Sequence, residues 1–363
     1  MSARTPAPEQ QSPRADLVTL AEKDLGETSC FIAGQSGRTR ESVEQHLRWL
    51  LLENPALRAD DPLGFGLRVS DKLAGCILCV PQAFCFESNR ILLMGSSSFY
   101  VAEPHRGQGG RLFLKFSRLT NQQPLFGTSA NAEAAALWKA AGASPIPYSD
   151  RELFGVLRWP PVFEEFIHRR YASPFLTRWA GGSVSNLAGL LKPLKIDTVE
   201  SGALRPLTSA EQVEDLPIHN PASKLTAMRE LPYIRWRYFS GRDASACAFA
   251  FRSRQSDQEI LVTVNQRERG YRGQINTLNV LDVYPESSPQ EWLRIIGALI
   301  ARYGKTVDAI VLRNQSPDHE KLFCSRGFQQ RTFDAPTGWL LDKANLLPTH
   351  DWYPVPADGD GLV

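Results

Sequence analysis

Apolar residues recur along this chain with two periods, and their order outlines two similar halves. Asp16 to Leu25 reads as a strand and turn. Val43, Leu47, Leu50 and Leu51 sit at helical spacing within Glu41 to Glu53, and Asn54-Pro55 ends that helix because a residue before proline avoids the helical region. Leu63 to Val69, Leu73 to Val80 and Ile91 to Val101 read as strands. Leu112, Phe113, Phe116 and Leu119 then line one helix face. Pro124 to Thr128 is a short strand. Ala132 to Ala141 is a second helix, with Gly142 placed as its left-handed cap. Residues from Ile146 to Val156 supply closing strands.

Trp159-Pro160-Pro161 breaks the pattern. Phe163 to Arg170 and Val184 to Leu191 look helical and bridge to a second pattern that starts at Asp197. There a helix-rich entry, Ala222 to Ser240, precedes strands at Ala246 to Arg252, Glu259 to Gln266 and Gly273 to Tyr284. An amphipathic helix, Gln290 to Tyr303, leads to a strand at Val307 to Leu312. A short helix, His319 to Ser325, has Gly327 beyond it, and Arg331 to Leu341 closes the sheet. Both halves therefore run strands, helix, strand, helix, strands. The expected organisation is a flexible tail over 1–15, domains over 16–160 and 197–345, a helical bridge over 161–196 and a tail over 346–363.

Composition adds mainly exclusions. The 363 residues are 42% hydrophobic and 22% charged, the pattern of a soluble globular protein. A net charge of +2 makes no electrostatic case for nucleic acid. Short mixed runs such as Arg169-Arg170 and Arg267 to Arg272 read as solvated faces. Cys76 and Cys79 lie inside an apolar strand with no second pair at zinc spacing, so they read as buried small side chains and no metal is expected. The Pro- and Ser-rich stretch at Met1 to Ala15 has no apolar core of a signal peptide, and no run reaches membrane-spanning length. A cytoplasmic protein without membrane insertion is expected. Asp358-Gly359-Asp360-Gly361 has too few ligands for a calcium loop and reads as a tail.

The chemistry concentrates in Val101 to Arg111, where three glycines join a strand to a helix. The first amides of a helix have no internal partner and carry its positive end, and glycines let a ligand approach closely. The stretch therefore points to a phosphate-bearing ligand. The corresponding place in the second half, Tyr284 to Pro289, has two prolines, a carboxylate and no glycine, and would serve a diphosphate poorly.

Arg106-Gly107-Gln108-Gly109 after a strand, with Asn131-x-x-Ala134-x-x-Leu137-Trp138-x-x-x-Gly142 downstream, resembles the GCN5-related N-acetyltransferase superfamily. That family's loop is Arg or Gln, two residues, Gly, one residue, then Gly or Ala. Here the last position is Arg111, and the usual proline is displaced to Pro104. The resemblance implies an α/β (α+β) chain of two tandem acyl-CoA N-acyltransferase-like domains, each a mixed, mostly antiparallel sheet flanked by helices, the second degenerate. It implies acetyl-CoA or another acyl-CoA as co-substrate. Strand-end backbone of Tyr100, Val101 and Ala102 would take the pantetheine arm. Amides of Arg106, Gly107, Gln108, Gly109, Gly110 and Arg111 would hold the diphosphate, the Arg111 guanidinium would reach a phosphate, and Asn131 would contact the cofactor.

The implied activity is N-acyl transfer by direct attack of an amine on the thioester. The acceptor is a small-molecule or saccharide amine, with an amino sugar of polysaccharide biosynthesis as the class suggested by similar tandem proteins. The acid and base are harder to place. Many members carry a tyrosine where Trp138 stands and a glutamate in the region of Ser96 to Ser98, so Ser97, Tyr100 and Tyr148 remain as candidates. His105 beside Arg106 reads as an exposed loop histidine. Two alternatives stay open: a non-catalytic acyl-CoA-binding or scaffold protein of this fold, and a tRNA-dependent aminoacyl transferase, against which the near-neutral charge counts.

Overall fold

The computed structural model describes residues 15–171, 194–198, 202–214, 216, 224–240, 245–253, 259–270, 274–345, 347 and 352–353. The tail before Ala15, the helix expected at Val184 to Leu191 and the Asp358 to Gly361 segment lie outside the described residues. In chain order the first half carries β1 (Ala15–Leu20), α1 (Leu25–Ser36), α2 (Arg40–Leu47), β2 (Gly64–Val69), β3 (Lys72–Phe86), β4 (Asn89–Val101), α3 (Gly109–Ser117), β5 (Leu125–Gly127), α4 (Ala132–Ala140), β6 (Ser144–Pro145), β7 (Arg151–Val156) and α5 (Trp159–Tyr171). The second carries β8 (Ala203–Leu207), α6 (Glu211–Glu214), β9 (Thr226–Ala227), α7 (Leu231–Phe239), β10 (Ala246–Arg252), β11 (Glu259–Arg269), β12 (Ile275–Tyr284), α8 (Pro289–Tyr303), β13 (Ala309–Arg313), α9 (Pro317–Ser325), β14 (Gln329–Thr332) and β15 (Trp339–Leu341).

Local signals account for most boundaries. Thr39, Asn131, Ser288 and Ser316 cap α2, α4, α8 and α9 by accepting from the amide three residues on. Gly142 and Gly327 follow α4 and α9 at φ 87° and 102°, a left-handed backbone that favours glycine. The Glu41 to Glu53 helix is α2 continued through a π-turn, in which the Glu53 N–H donates to the Arg48 carbonyl (3.0 Å). Trp159-Pro160-Pro161, read as a break, instead starts α5, because proline's missing N–H costs nothing in a first turn. Helix α1 was not expected. Its buried stripe is Leu25, Thr28, Ser29 and Ile32, and the two hydroxyls donate to the Asp24 and Leu25 carbonyls (2.9 and 2.7 Å). Half of its apolar face is thus written in polar residues. Cys76 and Cys79 are buried in β3, and burial pushes the Cys76 thiol up to about 12 and that of Cys79 higher still.

The strands form two sheets, ordered β1-β2-β3-β4-β5-β15-β6 and β14-β7-β13-β12-β11-β10-β8. The closing strands are exchanged. Arg151–Val156, expected to close the first sheet, lies in the second between β13 and β14. Trp339–Leu341, expected to close the second, lies in the first between β5 and β6. The apolar core follows suit, since its largest cluster joins Leu47, Trp49 and Leu50 to Tyr233, Trp236, Leu261 and Tyr284. Trp49 and Trp236 stack at 5.2 Å, and each indole N–H donates to the other's carbonyl (2.9 and 2.8 Å). Arg237 lies against both rings and is buried rather than snorkelling outward.

Candidate active site

The central strand of the first sheet is irregular where the site begins. Cys76 pairs with Tyr100 and Leu78 with Ser97, so Ser98 and Phe99 together stand opposite Ile77. This is a β-bulge, with Ser98 at φ 49°. Parallel pairing of β4 with β5 is confined to Met94–Leu125 and Gly95–Phe126. Beyond it β5 ends at Gly127 while β4 runs on to Val101, and a cavity of about 1020 Å³ lies along that stretch of β4.

Backbone bonding at the strand end narrows the expected cofactor contacts. The Ala102 N–H donates to the Ala74 carbonyl (2.8 Å), and the Ala102 carbonyl accepts from His105. Bonding alternates along an antiparallel pair, so Tyr100 also faces β3 while the backbone groups of Val101 turn toward the open edge. Of the three residues expected to offer strand-end backbone, Val101 is the one in position. The loop after it, Glu103–Gln108, is a 3₁₀ turn, and the Gly109 N–H is engaged with the Arg106 carbonyl. The amide cradle is therefore smaller than the run from Arg106 to Arg111 suggested.

Arg106, Gly109, Gly110 and Asn131 line the cavity, whereas Gly107 and Gln108 do not. The Arg111 guanidinium is turned away, bonded to Gln108 Oε1 (2.7 Å) and to the Ala15 carbonyl (3.4 Å). It was expected to reach a phosphate, but β1 lies within its reach and supplies an acceptor. Asn131 Oδ1 caps α4 through the Ala134 N–H (2.9 Å), which leaves its amide nitrogen for a ligand. None of Gly107, Gly109 and Gly110 has a positive φ, and a Cβ there would meet nothing closer than 3.6 Å. The fold itself gives no reason for these glycines; a ligand lying against them would.

The catalytic candidates separate. Ser97 and Tyr100 line the cavity, with Ser97 Oγ 3.4 Å from Ser98 Oγ. Tyr148 does not. It borders a second, smaller cavity of about 80 Å³ with Asp282 and His319. Trp138, at the position where the resemblance leads one to expect a tyrosine, is 2% exposed and packs edge-on against Phe113 and Phe116. Gly127 must be glycine beside it, because a Cβ would come within 3.0 Å of the indole.

The opposite wall belongs to the second sheet and was not foreseen. Asn265, Arg267 and Arg269 share one face of β11, and Asn279 and Arg313 continue that wall on β12 and β13. Within the Arg267 to Arg272 run, read as a solvated face, Arg267 to Arg269 line the cavity and Glu268 is exposed. His46 reaches it from α2, beside Val43 and Leu47 at helical spacing.

Comparison with known proteins supplies the last observation. No family model matches the sequence, and no curated protein matches it. Solved structures do. A GCN5-related N-acetyltransferase from Anabaena variabilis aligns over 90% of this chain and 72% of its own, with a TM-score of 0.54 at 13% identity. The N-myristoyltransferase of Saccharomyces cerevisiae, solved with bound myristoyl-CoA, aligns over 94% and 85%, at 0.52 and 11%. A GCN5-related N-acetyltransferase from Kribbella flavida aligns over 91% and 72%, at 0.50 and 12%. The chain has the N-acyltransferase fold, in tandem. The likeness is one of fold and covers both halves.

Within this tandem fold the second half repeats local features of the first. Leu281 is the extra residue of a bulge on β12, between pairs Val264–Val280 and Thr263–Asp282. Strand β12 pairs in parallel with β13 only from Thr277 to Asn279. Here, however, α8 is capped by its own chain: Ser288 Oγ accepts from the Glu291 N–H, and Glu291 accepts from Ser288 in return (both 3.3 Å). By contrast α3 has no side-chain cap. Tyr353 lines the smaller cavity, and its hydroxyl donates to the Val283 carbonyl (2.7 Å). Among the described residues no helix is long and apolar enough to cross a membrane.

Proposed function

We propose that this protein is an acyl-CoA-dependent N-acyltransferase, with acetyl-CoA as donor and an amine, of the amino-sugar class, as acceptor. The observation that carries this reading is the first cleft: a bulged β4 that runs on past its pairing with β5, leading to a helix without a side-chain cap that starts at Gly109-Gly110, glycines the fold does not otherwise require. Acyl-CoA would supply the thioester carbonyl that the amine attacks, with C–N bond formation and departure of the CoA thiol. The Val101 backbone would align the pantetheine arm as an added strand. Arg106 and the first amides of α3 would face the diphosphate. Ser97 and Ser98 would order a water that takes the amine proton to solvent, serine itself being a poor base.

Calorimetric titration with acetyl-CoA tests the reading. Micromolar to millimolar binding is expected, and Gly110→Asp should abolish it while leaving the fold intact. An aspartate at that position suits a helix N-terminus but repels a diphosphate. Absence of binding by the native chain would overturn the reading. A second reading, acyl-CoA binding without catalysis, is favoured by the burial of Trp138 where the resembled family would place a proton-donating tyrosine. One acetylated amine detected by mass spectrometry would dispose of it.

A further inference from the structure

We propose that the second-sheet wall of the cavity, through Arg269 and Arg313, binds an oxyanion carried by the amine acceptor. The word acceptor rests on the acyltransferase reading; the anion site does not. Register creates it. Glu152 on β7 stands directly opposite Arg313 on β13 and Arg331 on β14. Its carboxylate lies 3.4 Å from Arg269, 3.3 Å from Arg313 and 3.3 Å from Arg331. One carboxylate, 3% exposed, thus serves three guanidinium groups.

The donors are far from saturated. Arg313 bonds Glu152 through Nε alone, and neither of its Nη atoms has a partner among the described residues. Arg269 uses one Nη on Glu152 and the other on Asn279 Oδ1 (2.9 Å), and Asn279 in turn donates to Asn265 Oδ1 (3.1 Å). These residues form a polar strip along the cavity wall that holds the two arginines in place. Burial pulls Arg269 below the usual arginine range, and the neighbouring arginines add to the effect against Glu152. Positive charge is in excess around the cavity as a whole. Around the whole cavity five arginines face two glutamates, and three of the five are on the second sheet. Guanidinium forks match carboxylate and phosphate geometry, so the acceptor class is an amine bearing one of these groups.

The test is equilibrium binding to the full chain, with and without saturating CoA, of two matched pairs: glycylglycine against glycylglycinamide, and glucosamine 6-phosphate against glucosamine. The anionic member of at least one pair should bind about tenfold or more tightly, with a preference that shrinks as salt rises. The responding pair distinguishes carboxylate from phosphate. Arg313→Gln should remove about tenfold of that preference, and Arg269→Lys, which keeps the charge but loses the fork, should remove part of it. Glu152 retains two guanidinium partners when Arg313 is replaced, which protects the fold. Equal affinities within both pairs, no binding by any member at millimolar concentration, or an Arg313 variant that keeps the full preference would each overturn the proposal. Loss of CoA binding alone would overturn the acyltransferase reading, while the CoA-free arm would still report on the arginine wall.

Discussion

Gly110 separates what the fold needs from what a ligand needs. It begins a helix, its added Cβ would come no closer than 4.0 Å to Leu137, and alanine is the better helix former. Gly110→Ala is therefore expected to raise unfolding free energy by a few tenths to about 1 kcal/mol in a denaturant melt. Acetyl-CoA binding by the same variant should weaken, because the methyl group occupies the approach to the helix amides. A variant that gains stability and keeps full affinity would remove the glycines from the site. His319 gives a second test. Burial lowers its pKa from the ordinary 6.5, with Nδ1 2.6 Å from Ser316 Oγ and Nε2 3.2 Å from the Ser287 carbonyl. The unfolded chain then binds more protons than the folded one between the lowered value and 6.5. Stability should fall as pH drops through that window, and unfolding compared at about pH 7 and about pH 5 should show a smaller difference for His319→Gln.

Secondary elements were legible where apolar residues marked the buried face. Helices α3 and α8 follow from Leu112, Phe113 and Phe116 and from Trp292, Ile295 and Leu299, all buried. Helix α1 escaped because Thr28 and Ser29 stand in its stripe and satisfy their hydroxyls on the preceding turn. The Trp236-Arg237-Tyr238 segment of α7 is buried in the core, and α7 locks to the turn after α2 through the paired indoles. Trp49→Phe keeps an aromatic side chain of smaller volume but leaves the buried Trp236 carbonyl without the indole donor, at a cost of about 1–3 kcal/mol. Trp236→Ala should cost about 3–5 kcal/mol, since it also opens a cavity in the shared core. Equilibrium unfolding of each variant checks the order; equal costs would mean that ring packing contributes little.

Strand exchange makes the two halves one body. Because β7 completes the second sheet and β15 the first, neither half can bury its own sheet edges alone. The full chain should unfold in one transition, with tryptophan fluorescence and far-ultraviolet circular dichroism superimposing; two separated transitions would show independent halves. The exchange also builds the site. It carries Glu152 out of the first half to the centre of three second-half arginines, and it sets the arginine wall across from the glycine loop.

The linear order of residues determined the local terms: the periods that mark strands and helices, the caps at Asn131, Ser316, Gly142 and Gly327, the duplicated order of elements, and the glycine-rich start of one helix but not its counterpart. Each depends on neighbours within a turn or two of chain. Tertiary structure alone decided which sheet the closing strands joined, that Tyr148 borders the smaller cavity, that Ala102 and Arg111 find acceptors inside the fold, and that Arg267 and Arg269 face a cavity rather than bulk water. A short strand carries no mark of its partner. That choice follows from which distant edge offers both unpaired backbone groups and an apolar face, and here the edges on offer came from opposite ends of the chain.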